Sequence, residues 1–271
     1  MDIKYYCDTL FENTYSNDIC GDYHFFEFNF SKSYYNLLDA LLSNQVLIGN
    51  NELQTSLLCL NWVFEKMNYI KLNNKKVSLN SIGILKSTNL KSELFCVHKS
   101  IVLNDMLMKN GIYSRLLWCL PKDFDYDCHV VVIAFINKLK KWIFLDPSFG
   151  TYFHKDGCIL SPIEIRNSYA TGDLPSFKNI DISKKWALTL NGIEYSSYDD
   201  WYSTYMSKNL FRFCSPKISS PKALEKAINY IFLNPLRYHQ KNEYDFKCLN
   251  ENIYTTSIHC FFESPVVVLT T

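Results

Sequence analysis

The stretch HVVVIAFINKLKKWIFLDPSFG, residues 129–150, decides the fold. Two apolar runs, 129–136 and 141–146, flank the polar segment NKLK at 137–140. Runs of this length and composition are typical of buried β-strands, and a short polar connection between them is typical of a hairpin. The sequence therefore predicts an antiparallel pair of strands, the second of which ends on the carboxylate of Asp146.

Helical patterns precede this hairpin. Apolar residues recur at helical spacing over 33–48, 52–70 and 92–111. In the third pattern Ser92 is suited to cap the helix, and Gly111 is suited to the left-handed position that follows its end. A further strand is predicted over 113–120. Helices followed by an antiparallel meander indicate an α+β fold.

Beyond Gly150 the pattern is less regular. A helix is predicted over 197–211. A second helix is predicted over 220–235, because Ser and Pro open it and a Pro closes it. The tail, 254–271, has the composition of a strand.

Composition narrows the class of protein. The chain has 271 residues, of which 48% are hydrophobic, as in an ordinary globular core. Lys plus Arg (28) nearly balance Asp plus Glu (27), and no long run of like charge is present, so nucleic acid is not an expected partner. The N-terminus lacks the pattern of a signal peptide, and no stretch is apolar enough to span a bilayer. We therefore expect a cytoplasmic protein with no membrane partner, whose ten cysteines are reduced.

Three residues have positions that suit nucleophilic catalysis. Cys96 falls in the first turn of its predicted helix, where free backbone N–H groups favour a thiolate and can hold an oxyanion. His129 opens one strand of the hairpin and Asp146 closes the other. Pairing about the turn at 137–140 places Asp146 opposite Val131, one pleat from His129. The carboxylate can then orient the imidazole, which serves as base to the thiol.

These segments resemble those of the transglutaminase-like superfamily. The segment ELFCVHKSIVLNDMLMKNGIYSRLL resembles its nucleophile helix, which ends on a Gly-Ile pair and is followed by an Arg, as Gly111, Ile112 and Arg115 are placed here. The segments CHVVVIAFI and KKWIFLDPSFG resemble its His and Asp strands, and NWVFEKMNYI resembles the helix that precedes them. The resemblance covers about 52–150.

The resemblance implies a papain-like core in which the nucleophile helix packs on an antiparallel sheet or partial barrel. It implies a single domain with the core at about 52–150, an N-terminal helical extension at 1–51 and a C-terminal α/β elaboration at 151–271. The implied activity is transfer of an acyl group through a thioester on Cys96 to an amine, without cofactor or metal. An acyl or peptide substrate is the expected partner, and a carrier protein is one candidate donor.

Other interpretations stay open. A cysteine peptidase or amidase would use the same triad, with water as the acceptor. Phe95 and Val130 depart from the superfamily pattern, so a peptide-binding module with a disabled triad is a third interpretation. Arylamine acetyltransferases share the triad but have an Arg-containing signature at the cysteine that this chain lacks.

Neighbouring residues receive structural interpretations. His98 is expected on the surface and Cys128 in the core. Tyr205 and Asn209, on the helix predicted over 197–211, could approach a pocket. A zinc site is not favoured, because its four possible ligands lack the spacing of standard zinc sites. They are Cys119, Cys128, His129 and Cys158.

Overall fold

The structure is a computed structural model. It describes residues 2–19, 24–42, 47–67, 77–88, 94–123, 128–179, 189–190, 192–225, 229–238 and 252–265. Within these residues the protein has an α+β fold, in which helices cover both faces of a central sheet.

The helices are α1 (Ile3–Glu12), α2 (Lys32–Leu41), α3 (Glu52–Lys66), α4 (Ser81–Thr88), α5 (Cys96–Lys109), α6 (Pro162–Ala170), α7 (Tyr198–Asn209) and α8 (Ile258–Phe261). The strands are β1 (Glu27–Phe28), β2 (Ser114–Leu120), β3 (His129–Ile136), β4 (Lys141–Leu145), β5 (Thr151–Lys155), β6 (Cys158–Ile159), β7 (Ser176–Asn179), β8 (Thr189–Leu190), β9 (Ile193–Glu194), β10 (Arg212–Pro216), β11 (Ile218–Ser219), β12 (Tyr230–Leu233) and β13 (Ile253–Thr255).

The β3–β4 hairpin forms as the sequence predicts. Ile136 pairs with Lys141 across a short 3₁₀ turn, and the antiparallel register runs on to the pair Val132 and Leu145. Continuing that register by one residue sets Asp146 opposite Val131. The predicted proximity of the two far strand ends is therefore confirmed.

The hairpin belongs to a six-stranded sheet with the order β13-β12-β10-β2-β3-β4. Its neighbouring strands pair antiparallel except β12 and β13, which are parallel. The described strands form no closed barrel, so the partial barrel considered above is replaced by an open sheet. Strands from both sides of residue 150 share this sheet.

Both faces of the central sheet are buried, which explains why β3 is apolar along its whole length. One face packs against α2, α3, α4 and α5 through side chains that include Leu38, Val63, Ile84, Val102 and Val132. The other face packs against α1, α6, α7 and α8 through side chains that include Leu10, Ile165, Tyr202, Phe261 and Val131. Each such side chain contributes about 1.5–3 kcal/mol when it leaves water, so layering on both faces fixes the position of β3.

Helix α5 is the most buried of the described helices, because residues 98–108 are all buried. It ends as predicted: Gly111 has φ +74°, its N–H donates to the Met108 carbonyl, and the Ile112 N–H donates to the Leu107 carbonyl. This pair of bonds is a Schellman motif. The start differs from the prediction, since Phe95 occupies the N-cap position of α5 and makes no side-chain capping bond. The predicted cap, Ser92, lies outside the described residues.

The helix predicted over 220–235 is wrong. Ala223–Glu225 forms only a 3₁₀ turn, and Tyr230–Leu233 forms strand β12. The reason is tertiary: β12 pairs with β10 on one side and β13 on the other, and this position buries its aromatic and β-branched side chains on both faces of the sheet. Helix propensity in the preceding residues does not outweigh that burial.

The strand predicted over 254–271 is also largely wrong. Strand β13 (Ile253–Thr255) covers its first residues, but α8 follows at once. The Ser257 side chain accepts the N–H of Cys260 and caps this helix. Residues 266–271 lie outside the described residues.

One expectation about the cysteines is wrong, because Cys260 is disulfide-bonded. Seven other cysteines among the described residues form no disulfide: Cys7, Cys59, Cys96, Cys119, Cys128, Cys158 and Cys214. In the described ranges, no helix combines the length and the apolar composition that crossing a bilayer requires.

Candidate active site

A buried histidine–carboxylate pair lies at the end of the hairpin. Nε2 of His129 is 2.7 Å from Oδ2 of Asp146. The His129 side chain is 2% exposed and that of Asp146 is 0% exposed. The register explains the contact, because Asp146 continues β4 opposite Val131, and Val131 and His129 face the same side of β3.

The turn that follows β4 holds the carboxylate in place. Asp146 and Thr151 exchange two backbone hydrogen bonds of 2.8 and 3.0 Å, which close the turn formed by 147–150. Inside it, Oδ1 of Asp146 accepts the N–H of Ser148 at 2.9 Å and that of Phe149 at 3.3 Å. Such bonds stabilise the ionised carboxylate. An apolar strand therefore ends on an aspartate whose side chain is held by its own turn.

Cys96 meets this pair from the other side of the imidazole. It is the first residue of α5, so its own backbone N–H has no intrahelical acceptor. The Cys96 side chain lies close enough to the His129 ring to help raise the pKa of His129. Because Nε2 faces Asp146, the remaining ring nitrogen of His129 is the one available to the thiol. The structure thus brings all three predicted residues together.

A buried hydrogen bond joins the helix of Cys96 to the strand of His129. The Ser100 hydroxyl, one helical turn after Cys96, donates to the Val130 carbonyl at 2.8 Å. Ser100 is 0% exposed. The bond fixes the start of α5 against the start of β3, and with it the separation of thiol and imidazole.

The electrostatics of the site favour a charged imidazole. Burial lowers the pKa of His129, but the charge and hydrogen bond of Asp146, together with Cys96, outweigh it and raise the pKa to about 10. His129 is therefore an imidazolium at neutral pH. This cation lies next to the Cys96 side chain.

His98 is not on the surface, so that expectation is wrong. It is 6% exposed, and its Nδ1 accepts the backbone N–H of Phe95 at 2.9 Å. The bond satisfies a donor at the start of α5, which draws the ring inward. Burial lowers the pKa of His98, so the ring stays neutral and has a structural role beside Cys96.

Aromatic side chains enclose the imidazole on its remaining sides. The Phe149 ring lies 5.4 Å and the Tyr205 ring 5.3 Å from the His129 ring, measured between centroids. The Trp201 ring stacks on the Tyr205 ring with centroids 5.4 Å apart. Its centroid is 5.2 Å from that of the Phe149 ring. Of the two α7 residues singled out in the sequence, Tyr205 thus contacts the site. Asn209 instead donates from its side-chain amide to the Tyr205 carbonyl at 2.9 Å.

One residue at the site was not expected from the sequence. The Tyr202 hydroxyl donates to Oδ2 of Asp146 at 2.8 Å. The two residues are 56 positions apart, and no local motif links them. The only signal was the density of aromatic residues in the helix predicted over 197–211.

The remaining thiols near the triad are structural. Cys119 pairs directly with His129 across β2 and β3 and is 0% exposed. Burial, followed by the charge of Asp146, raises the pKa of Cys119 well above its usual value. Cys128 is half-buried against the core, close to its expected place. The described residues contain no group of three or more His, Cys, Asp or Glu side chains arranged to hold a metal ion.

Comparisons with known proteins add little to this description. No family model matches the chain, and no curated protein matches it. Among solved structures it is similar to a candidate protease from Parabacteroides distasonis, at 14% sequence identity and a TM-score of 0.29. The match covers 53% of this chain and 26% of that chain, so about half of this chain corresponds to about a quarter of that protein. Similarity at this level carries no argument about fold or function.

Proposed function

We propose that the protein is a thiol acyl-transfer enzyme of the transglutaminase-like type, with Cys96 as nucleophile, His129 as base and acid, and Asp146 as the group that orients His129. The observation that carries the proposal is the arrangement around one buried imidazole. Asp146 lies 2.7 Å from Nε2, and the Cys96 side chain lies close enough to the same ring to help raise its pKa. This is the order of contacts that nucleophile, base and orienting carboxylate require.

The first half-reaction follows from the charge state of the pair. In the reacting form the proton of the pair lies on His129, so a thiolate on Cys96 faces an imidazolium. The thiolate attacks a thioester or amide carbonyl, and the free N–H groups at the start of α5 hold the oxyanion. When the carbonyl re-forms, its bond to the leaving thiol or amine breaks, and the imidazolium gives that group its proton. The acyl group is now a thioester on Cys96.

The second half-reaction repeats these steps with an acceptor. An amine, or water, gives its proton to His129 as it attacks the thioester, and the thiolate of Cys96 leaves. Transfer to an amine forms an amide bond, whereas transfer to water makes the protein a peptidase or amidase. The triad serves both reactions, and the acceptor site decides between them. We propose amide formation from an acyl or peptide donor, including a thioester carried by a carrier protein.

In this proposal the segments 52–150 form the catalytic core of a single domain. The segment after residue 150 supplies β10 and β12 to the central sheet and α7 to the wall around His129. Every group that the proposed steps require is a side chain or a backbone amide of this chain.

The proposal is tested by intact-mass measurement after incubation with acyl-pantetheine thioesters and with peptides. We expect a mass increase of one acyl group that maps to Cys96 and is removed by an added amine. The matched control is Cys158→Ser, since Cys158 is an exposed free thiol distant in sequence from the triad. The adduct should persist in Cys158→Ser and be absent from Cys96→Ser. An adduct lost only in Cys158→Ser would contradict the proposal. If water removes the acyl group from Cys96 and an added amine does not, the protein is a peptidase or amidase.

A further inference from the structure

The carboxylate of Asp146 receives more hydrogen bonds than a catalytic triad needs. Its Oδ1 accepts the backbone N–H groups of Ser148 and Phe149, at 2.9 and 3.3 Å. Its Oδ2 is shared by His129 Nε2 at 2.7 Å and the Tyr202 hydroxyl at 2.8 Å. A carboxylate offers about four lone-pair directions, so all of its acceptor capacity is used. Of these described donors, Tyr202 lies farthest from Asp146 in the sequence.

The Tyr202 ring is held so that its hydroxyl has a fixed direction. Tyr202 is 0% exposed. Its ring stacks on Tyr198 with centroids 5.6 Å apart and on Phe153 at 5.7 Å, and its edge meets Phe149 at 5.4 Å. Burial, followed by the charge of Asp146, raises the pKa of Tyr202 well above its usual value. The Tyr202 hydroxyl therefore stays protonated at neutral pH and remains the hydrogen-bond donor to Asp146.

The packing alone does not account for this hydroxyl. Burying a hydroxyl beside an ionised carboxylate is unfavourable unless the two are bonded, and a phenylalanine would fill the same space without that cost. The bond also ties α7 to the same oxygen that orients His129, while the backbone bonds of the turn hold only the other oxygen. The rotation of the carboxylate about its Cβ–Cγ bond is thereby fixed from both ends.

We infer that Tyr202 is a positioning residue, which holds Oδ2 of Asp146 towards His129 and so keeps the imidazole charged and aimed at Cys96. This inference rests on the proposed function. Tyr202 touches neither the thiol nor a reacting atom in the steps above, and it acts through Asp146. It extends the site from three side chains to four, the last of them contributed by α7.

The test is the pH dependence of Cys96 alkylation by iodoacetamide in Tyr202→Phe. The titratable groups that face His129 are Asp146 at the end of β4, Cys96 on α5, Cys119 on β2 and Tyr205 on α7. A rotated carboxylate supports the imidazolium less well. We therefore expect the contribution of protonated His129 to the rate of Cys96 alkylation to be lost at a lower pH than in the wild type. Asp146→Asn should shift the profile in the same direction. The rate at neutral pH should fall about tenfold, the effect of losing one hydrogen bond to a charged group.

Tyr15→Phe is the matched control. The Tyr15 hydroxyl is also buried and donates to the Phe211 carbonyl at 2.7 Å, so its removal costs a buried hydrogen bond without touching Asp146. Its alkylation profile should match that of the wild type. A Tyr202→Phe profile that is unchanged, or displaced to higher pH, would overturn the inference. A wild-type profile that does not depend on His129 would instead overturn the proposed function.

A second measurement uses the wild-type protein and so does not depend on the folding of a variant. Two donors on one oxygen bring the Tyr202 hydroxyl proton close to the proton on Nε2 of His129. In protein with isotope-labelled histidine and tyrosine, we expect a nuclear Overhauser contact between these two protons. Absence of the contact, or rapid exchange of the hydroxyl proton with water, would show that Tyr202 does not hold the shared oxygen.

Discussion

Nε2 of His129 lies 2.7 Å from Oδ2 of Asp146, and neither side chain is reached by solvent to more than 2%. A buried charge pair is stable only when its remaining hydrogen-bonding capacity is satisfied. Asp146 meets that condition through Ser148, Phe149 and Tyr202. The pair is therefore built to keep the imidazole protonated, and this has consequences for stability.

The stability of the fold should fall at alkaline pH. The pKa of His129 is raised from 6.5 to about 10 in the folded protein: burial lowers it, but the charge and hydrogen bond of Asp146, together with Cys96, outweigh burial. A pKa raised by folding contributes stability that is fully present below pH 6.5 and is lost as the pH approaches 10. We expect the unfolding free energy from urea titrations to decrease over this interval in the wild type. The decrease should be smaller in His129→Gln, which cannot titrate. Parallel curves for the two proteins would contradict the assigned charge state.

Cys96 should be alkylated faster than any other free thiol. A neighbouring imidazolium and a helix N-terminus are the surroundings typical of reactive cysteines, and Cys96 has both. Cys158 is the most informative comparison, because it is exposed whereas Cys96 is only partly so. Peptide mapping after brief treatment with iodoacetamide at pH 6.5 should find Cys96 labelled first and Cys119 last. Labelling ranked by exposure alone, with Cys158 ahead of Cys96, would argue against an activated thiol.

The predictable part of the site lies in the hairpin. The pattern of 129–146 contains both strands and the turn between them, so the meeting of His129 and Asp146 follows from counting along the sequence. The end of α5 was likewise predictable, because Gly111 acts through local backbone geometry. Features that are determined by residues close together in the chain could therefore be predicted from the sequence.

The unpredicted part depends on contacts between distant segments. The residues of β12 follow a sequence with good helix propensity, and only pairing with β10 and β13 makes them a strand. The hydroxyl of Tyr202 reaches Asp146 from 56 positions away, and its direction is set by rings on other elements. Neither placement leaves a periodic or local signal in the sequence.

Gly150→Ala should be more destabilising than a typical glycine substitution. Gly150 has φ +60°, and a Cβ atom at this position would lie 2.7 Å from the Phe64 ring. Gly157→Ala is the control, since Gly157 has φ +76° with open space where the Cβ would be. The left-handed conformation costs about 1–2 kcal/mol in both, and the clash adds about 1–3 kcal/mol in Gly150→Ala alone. Thermal unfolding should rank the two variants in that order. Equal losses would mean that Phe64 moves aside without cost.

Ser100→Ala should slow the alkylation of Cys96 as well as destabilise the fold. The Ser100 hydroxyl bonds the Val130 carbonyl and so joins α5 to β3. Its loss should cost about 1 kcal/mol and loosen the contact of the Cys96 side chain with His129. The control is Ser56→Ala, which removes an equally buried hydroxyl bonded within α3 to the Glu52 carbonyl at 2.8 Å. Urea unfolding should show similar losses, with slower alkylation in Ser100→Ala only. Equal alkylation rates in Ser100→Ala and Ser56→Ala would mean that contacts other than the Ser100 hydrogen bond hold α5 against β3.

The three proposed catalytic residues should differ in how far their loss damages the reaction. Cys96→Ala should abolish the acyl-enzyme, because no other group at the site can carry the acyl chain. His129→Ala should be nearly as damaging, since the thiol then has no base. Asp146→Asn should keep the fold, and Cys96 should still be labelled, although slowly. Turnover should fall only in part, because Asp146 orients and charges the imidazole without exchanging a proton. Asparagine can still accept the N–H groups of Ser148 and Phe149, which preserves the turn. Single-turnover transfer from an acyl thioester measures all three. Wild-type rates in Asp146→Asn would mean that the carboxylate serves the turn alone.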